Sequence, residues 1–130
     1  MIYLDSSAIV KLVAPEPETD ALMVFVGTDP ERVSSALAVV EVNRAVQRLG
    51  GNEVLFRRAR EVLSRIALIK IDDPVLRTAA ELDPPTLRSL DAIHLATALS
   101  IVEPVAALVT YDSRLRDASR QNGIVVESPA

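Results

Sequence analysis

The stretch Met1-Ile2-Tyr3-Leu4-Asp5-Ser6-Ser7 decides the fold. Four apolar residues run directly into an aspartate, and two hydroxyl residues then open a helical pattern. A strand this short, apolar on both faces, suits the centre of a parallel sheet covered by helices on each side. Its carboxylate then stands just beyond the strand's carboxyl end, where open α/β sheets bind their ligands. Asp5 is therefore the first candidate ligand of a divalent-metal site, and the rest of the chain must supply the others.

Beyond this strand, apolar runs alternate with helical patterns, the signature of a parallel α/β sheet. Ser6 to Val13 reads as a short helix stopped by Pro15 and Pro17. A second helix covers Glu18 to Val26 and ends near Gly27. Arg32 to Ser35 reads as the second strand, with Ser35 capping a helix from Ala36 to Leu49 that Gly50-Gly51 closes. Asn52 caps the next helix, to about Arg65, whose apolar stripe is Leu55, Ala59, Val62, Leu63 and Ile66. Ile66 to Ile71 forms a third strand. Asp73 as cap and Pro74 as first helical residue then start a helix to about Leu82, broken by Asp83-Pro84-Pro85. Ser89 opens a helix through Leu99, Val105 to Thr110 is the fourth strand, and Asp112 starts a helix towards Gln121. Asn122-Gly123 turns the chain into a last strand, Ile124 to Val126.

The resulting order is βααβααβααβαβ. Right-handed crossovers make it a doubly wound sheet with the first and fourth strands adjacent at the switch point. No internal repeat, linker or low-complexity segment interrupts it, and 130 residues suffice for one domain with a proper core.

Composition narrows the chemistry. The chain is 49% hydrophobic but only 3% aromatic, so its core is aliphatic, as in parallel sheets packed by helices. No apolar run approaches the roughly 18–20 residues that span a bilayer, and the opening apolar run is too short for a signal-peptide core. A cytoplasmic protein with no membrane role is expected. Without cysteine, disulfides, thiolate zinc sites and cysteine nucleophiles are excluded, and the single histidine excludes a His-rich zinc centre. Any metal must be held by oxygens, which points to Mg²⁺ or Mn²⁺. A net charge of −4 argues against a general phosphate-coating binder, but not against an acidic pocket that meets nucleic acid through a metal.

Four carboxylates stand out. Asp5 and Asp112 each sit where a strand becomes a helix. Taken singly, each is explained as a helix cap; together at one switch point they repel unless a cation is present. Glu41 lies in the apolar helix segment Ala36 to Val42, where an ionised carboxylate is costly unless paired or coordinated. A helical pair with Arg44 is its simplest structural explanation. Asp91, in the first turn of its helix, suits the macrodipole there and can also reach the sheet's carboxyl edge. Ser6 and Thr110 are placed to orient carboxylates or waters. His94 reads as a structural ring, partly buried and bonded locally. Arg44, Arg48 and Arg114, with Lys11 as a weaker choice, are candidates to meet a phosphate backbone.

These segments resemble the PIN-domain family, and within it the VapC-type toxins of toxin–antitoxin pairs. The resemblance rests on Tyr3-Leu4-Asp5-Ser6-Ser7, Val40-Glu41-Val42-Asn43-Arg44-Ala45, Leu90-Asp91-Ala92-Ile93-His94-Leu95-Ala96-Thr97-Ala98 and Val109-Thr110-Tyr111-Asp112-Ser113-Arg114-Leu115, in that order along nearly the whole chain. It implies a three-layer α/β/α sandwich with a parallel, doubly wound sheet. It also implies an Mg²⁺- or Mn²⁺-dependent endoribonuclease, a homodimer, and a VapB-type antitoxin that blocks the site. Asp5, Glu41, Asp91 and Asp112 fall on the family's acidic positions, and Ser6 and Thr110 on its supporting hydroxyl positions. The one departure is Ser6, where threonine is also frequent.

Other arrangements of strand-end acids fit less well. A receiver-like phospho-acceptor needs an acidic pair after the first strand and a lysine after the last. Here the third strand ends in Asp72-Asp73, but the pair at Asp5 is missing and no lysine follows Lys70. An aspartyl-nucleophile phosphatase needs Asp-x-Asp where this chain has Asp5-Ser6-Ser7. A degenerate PIN domain that only binds a partner would be expected to have lost acids, and none is missing.

Overall fold

Strand β1 (Ile2–Leu4) is buried at every residue, and its side chains alternate between two separate cores. Ile2 and Leu4 join Ile9, Leu22, Val42 and Val46 on one face. Tyr3 joins Leu95, Leu108 and Leu115 on the other. A strand with both faces dry has no solvent side, which is why its apolar run shows no alternation.

The computed structural model describes Met1–Ala130. In chain order, β1 is followed by α1 (Ser6–Val13), α2 (Thr19–Val26), β2 (Arg32–Ser35), α3 (Leu37–Arg48), α4 (Glu53–Ser64) and β3 (Ala67–Ile69). Then come α5 (Asp73–Glu81), α6 (Ser89–Leu99), β4 (Ala107–Val109), α7 (Ser113–Gln121) and β5 (Val126–Glu127). All strands are parallel in the order β3-β2-β1-β4-β5. Helices α1 to α4 cover one face, and α6 and α7 the other. The three-layer α/β/α sandwich is thus the observed architecture.

The order reverses between β1 and β4, which pair as Ile2↔Ala107, Tyr3↔Leu108 and Leu4↔Val109. One further bond, from Asp5 N–H to the Val109 carbonyl (3.1 Å), holds the first residue past β1 against β4. Asp5 and Asp112 therefore leave neighbouring strands on the same edge.

Local chemistry fixes where the elements end. Asn52 caps α4 by accepting from Leu55 N–H at 2.9 Å. Helix α3 closes in a Schellman motif, with Gly50 N–H to Gln47 O (3.2 Å) and Gly51 N–H to Val46 O (3.0 Å). The positive φ of 108° at Gly50 and 63° at Gly51 explains the glycine pair.

Several boundaries differ from the expected ones. Ser35 does accept a bond, from Leu37 N–H at 3.1 Å, but Ala36 N–H still bonds Ile69 O of β3 at 2.8 Å, so α3 starts one residue late. The cap of α5 is Asp72, which accepts from Val75 N–H at 3.0 Å; Asp73 and Pro74 occupy the first helical turn. Strands β3 and β4 are shorter than the expected Ile66–Ile71 and Val105–Thr110, and β5 lies at Val126–Glu127, past the expected Ile124–Val126, where it pairs with Leu108 and Val109.

Leu108 is fully buried in β4, beside Tyr3. Leu108→Ala is expected to cost about 2–5 kcal/mol of unfolding free energy, read from urea denaturation.

Candidate active site

Asp5 closes β1 and caps α1, and almost none of its surface reaches solvent. Its Oδ1 accepts from Ala8 N–H (3.0 Å) and from Ser7 Oγ (2.7 Å), while Oδ2 accepts from Thr110 Oγ1 (2.6 Å). Burial pushes the carboxyl pKa up, and these three donors only partly offset it.

Asp112 is built by the same strand-to-helix device one strand away. Its Oδ1 caps α7, accepting from Arg114 N–H (2.8 Å) and Leu115 N–H (3.3 Å). Its own N–H donates to Thr110 Oγ1 at 3.0 Å. The Thr110 hydroxyl thus gives its proton to Asp5 and receives one from the Asp112 backbone, locking the two acids' segments together.

Glu41 projects from α3 and is half-buried. Its Oε1 takes two short bonds, from Ser6 Oγ and His94 Nε2, both 2.6 Å. Burial pushes its pKa up, but the bonds from His94 and Ser6 outweigh that and hold it below the ordinary carboxylate range. Arg44 is not its partner. The imidazole is, and it is buried; its Nδ1 meets the Tyr3 hydroxyl at 2.8 Å. An ionised Glu41 has no proton to give, so Nε2–H is the donor and the Tyr3 hydroxyl can donate to Nδ1. The bonds of His94 are not the local ones expected: it ties β1 to α3 through α6.

Asp91 lies in the first turn of α6, half-buried. Burial and the nearby Asp112 charge raise its pKa, opposed by Arg88. Arg88, at the N-cap of α6, donates from Nε to Asp91 Oδ2 (3.2 Å) and from Nη2 to Asp112 Oδ2 (2.8 Å).

One cavity of about 350 Å³ is lined by Asp5, Glu41, Asp91 and Asp112, together with Ser6, Ser7, Arg88 and His94. All four expected acids and Ser6 share it, while Thr110 acts from beneath. A second pocket of about 400 Å³ adjoins it through Ser6, Ser7 and Glu41, and carries Lys11 and Arg48. Lys11 is already engaged, paired with Glu16 and Glu18 and standing 4.7 Å over the Tyr111 ring. Arg44 and Arg114 are exposed and line neither pocket. A larger, mostly apolar cavity of about 460 Å³, with Leu12, Met23 and Val62, shares no residue with the acids. Asp72 is spent as a helix cap after β3, at the sheet's edge, and does not supply the acceptor a receiver-like site needs.

The donor set suits a hard divalent cation: four carboxylates, hydroxyls, no thiol, and an imidazole already committed to Tyr3 and Glu41. As placed, no three of these groups form a closed ligand cluster. Arg88 instead supplies the positive charge between Asp91 and Asp112.

Two residues escaped the sequence reading. Ser7 donates to Asp5 and accepts from Tyr111 N–H (2.9 Å), and Arg88 bridges two acids. Ser7 could have been found as a second hydroxyl beside the aspartate; Arg88 sits in a proline-rich loop that carries no signal of its partners.

The PIN domain family model matches residues 2–121. Ribonuclease VapC46 of Mycobacterium tuberculosis (strain ATCC 25618 / H37Rv) is 48% identical, the match covering 99% of this chain and 98% of that protein. Ribonuclease VapC47 of the strain CDC 1551 / Oshkosh is 41% identical over 99% of this chain and 97% of its own. Among solved structures, Mycobacterium tuberculosis VapC20, a sarcin-ricin loop cleaving toxin, superposes with a TM-score of 0.76 at 15% identity, covering 99% of this chain and 100% of that one. A toxin–antitoxin complex from Klebsiella pneumoniae gives 0.74 at 21% identity, covering 100% and 98%. VapBC2 from Rickettsia felis, bound to a DNA fragment from its promoter, gives 0.72 at 18% identity over the full length of both chains.

Two substitutions test the carboxylate floor. Thr110→Val removes a buried donor from Asp5 and a partner from Asp112 N–H; a loss of about 1–3 kcal/mol is expected in chemical denaturation, largely restored by Thr110→Ser. Asp5→Asn keeps an oxygen for the α1 cap but removes a buried charge. The folded pKa of Asp5 lies above its unfolded value, so the metal-free protein loses stability as pH rises from the ordinary carboxylate value through the raised one. Above that window Asp5→Asn is expected to melt higher than wild type without metal, and below it the difference closes; melting scans across pH decide this.

Proposed function

The chain belongs to the PIN-domain family, within its VapC group, and from that premise we propose that it is a divalent-metal-dependent endoribonuclease, the toxin of a toxin–antitoxin pair. The observation that carries this reading is the meeting of Asp5, Glu41, Asp91 and Asp112, from four distant segments, in one polar cavity at the sheet's carboxyl edge. Relatives named as ribonucleases that match nearly its full length support the substrate class. The fold shared with toxin–antitoxin complexes supports a VapB-type antitoxin as partner; a homodimeric toxin is part of the same reading and rests on the family resemblance.

Hydrolysis of a phosphodiester needs an activated water, neutralised phosphate oxygens and a stabilised leaving oxygen. Mg²⁺ or Mn²⁺, held by Asp5 and Asp112 with Glu41 and Asp91 as ligands or water-holders, would supply acidified water and charge compensation. The protein's own part is to place these oxygens. Thr110 and Ser7 fix Asp5, and Thr110 also fixes the Asp112 backbone. Ser6 and His94 both bind Oε1 of Glu41, leaving Oε2 to orient a water. The depressed pKa of Glu41 keeps it ionised and ready to accept a hydrogen bond from that water. Arg48, on the adjoining pocket, is the best placed of the expected arginines to meet the RNA backbone; Arg44 and Arg114 can act only further along the strand.

Purified protein is expected to cleave RNA with Mn²⁺ and to stop when EDTA is added. Asp112→Asn and Glu41→Gln should each lower cleavage roughly 10²-fold or more, with unchanged circular dichroism. Failure of the wild type to cleave any cellular RNA with Mg²⁺ or Mn²⁺ rejects the nuclease reading. Relief of toxicity by the product of a neighbouring short gene, pulled down with the chain, tests the antitoxin.

A further inference from the structure

The Arg88 side chain is 59% exposed, yet both of its ion pairs point inward, to Asp91 and to Asp112. Its backbone is fixed: Arg88 O accepts from Ala92 N–H at 2.9 Å as the first bond of α6, and the preceding Leu87 packs on the second core. The side chain can therefore leave without any backbone change. The two carboxylates it joins are close enough to feel each other's charge. A guanidinium fork is suited to bridging two carboxylates, and it offsets one of the pair's two negative charges.

We propose that Arg88 is a counter-ion latch, its guanidinium bridging Asp91 and Asp112 in the metal-free protein so that a divalent cation must displace it to reach them. The proposal rests on the reading of these acids as metal ligands. It makes the latch a competitor for the metal: Arg88 preserves the acid pair when no ion is bound and weakens the apparent affinity for the ion. Because the side chain is exposed, salt screens its hold on the acids.

The test is Mn²⁺ titration calorimetry, without RNA, on wild type, Arg88→Gln, Arg88→Lys and Arg120→Gln. Arg120 is exposed at the far end of α7, and its loss changes net charge equally. Arg88→Gln is expected to bind Mn²⁺ about two- to tenfold more tightly than wild type. Arg88→Lys, which keeps the charge but loses the fork, should fall between them, and Arg120→Gln should match wild type. The advantage of Arg88→Gln should shrink as NaCl is raised. Equal or weaker binding by Arg88→Gln, or an equal gain in Arg120→Gln, overturns the latch while leaving the metal site standing. If wild type and every variant bind no Mn²⁺, the metal-site reading and the latch fail together.

Discussion

The structure turns on one unfavourable act, the burial of the Asp5 carboxylate at the end of a central strand. A charge in that position is costly unless donors surround it. Three do: a helix N–H, the Ser7 hydroxyl and the Thr110 hydroxyl. Each donor depends on a larger piece of architecture. The Ala8 N–H exists as a donor only because α1 begins at once, and Thr110 is in reach only because β4 pairs with β1. Burial still leaves the Asp5 pKa raised, so even this set does not offset desolvation in full.

Around that acid, the protein distributes positive charge sparingly. Glu41 receives an imidazole N–H and a hydroxyl, Asp91 and Asp112 share one guanidinium, and Asp5 has only neutral donors. The least compensated carboxylate is thus the most buried one. Arg44, Arg48 and Arg114 lie outside the cavity, with Arg48 on the adjoining pocket, while Arg88 inside it is paired with Asp91 and Asp112.

Much of this could be read before any coordinates. Asp5 and Asp112 were legible because a strand running into a helix needs an acceptor at the junction, and the doubly wound order puts those junctions side by side. Glu41 was legible as a charge amid apolar neighbours. What stayed hidden were partners supplied by distant segments. Helical spacing suggested Arg44 for Glu41, but Arg44 turns to solvent and the buried ring of His94 takes its place. His94 itself looked local because its long-range bonds, to Tyr3 and Glu41, depend on how α3 and α6 pack across the sheet. Capping by Asp72 rather than Asp73, which the Val75 N–H bond reveals, and the claim of Ala36 N–H by Ile69 of β3 just ahead of α3 leave no trace in the local pattern. The site is legible as a set of acids; its wiring is tertiary.

The Thr110–Asp5 bond joins residues 105 positions apart, and this has a consequence for synthesis on the ribosome. Strand β1 is a central one, and its partner across the switch point, β4, leaves the ribosome only after β2 and β3. Until Ala107–Val109 arrive, β1 has an open edge, and the acidic floor lacks both Thr110 and Asp112. Contacts of such long range form late and together. A chain that stops short of Asp112 therefore carries the opening motif without the assembled acidic cavity.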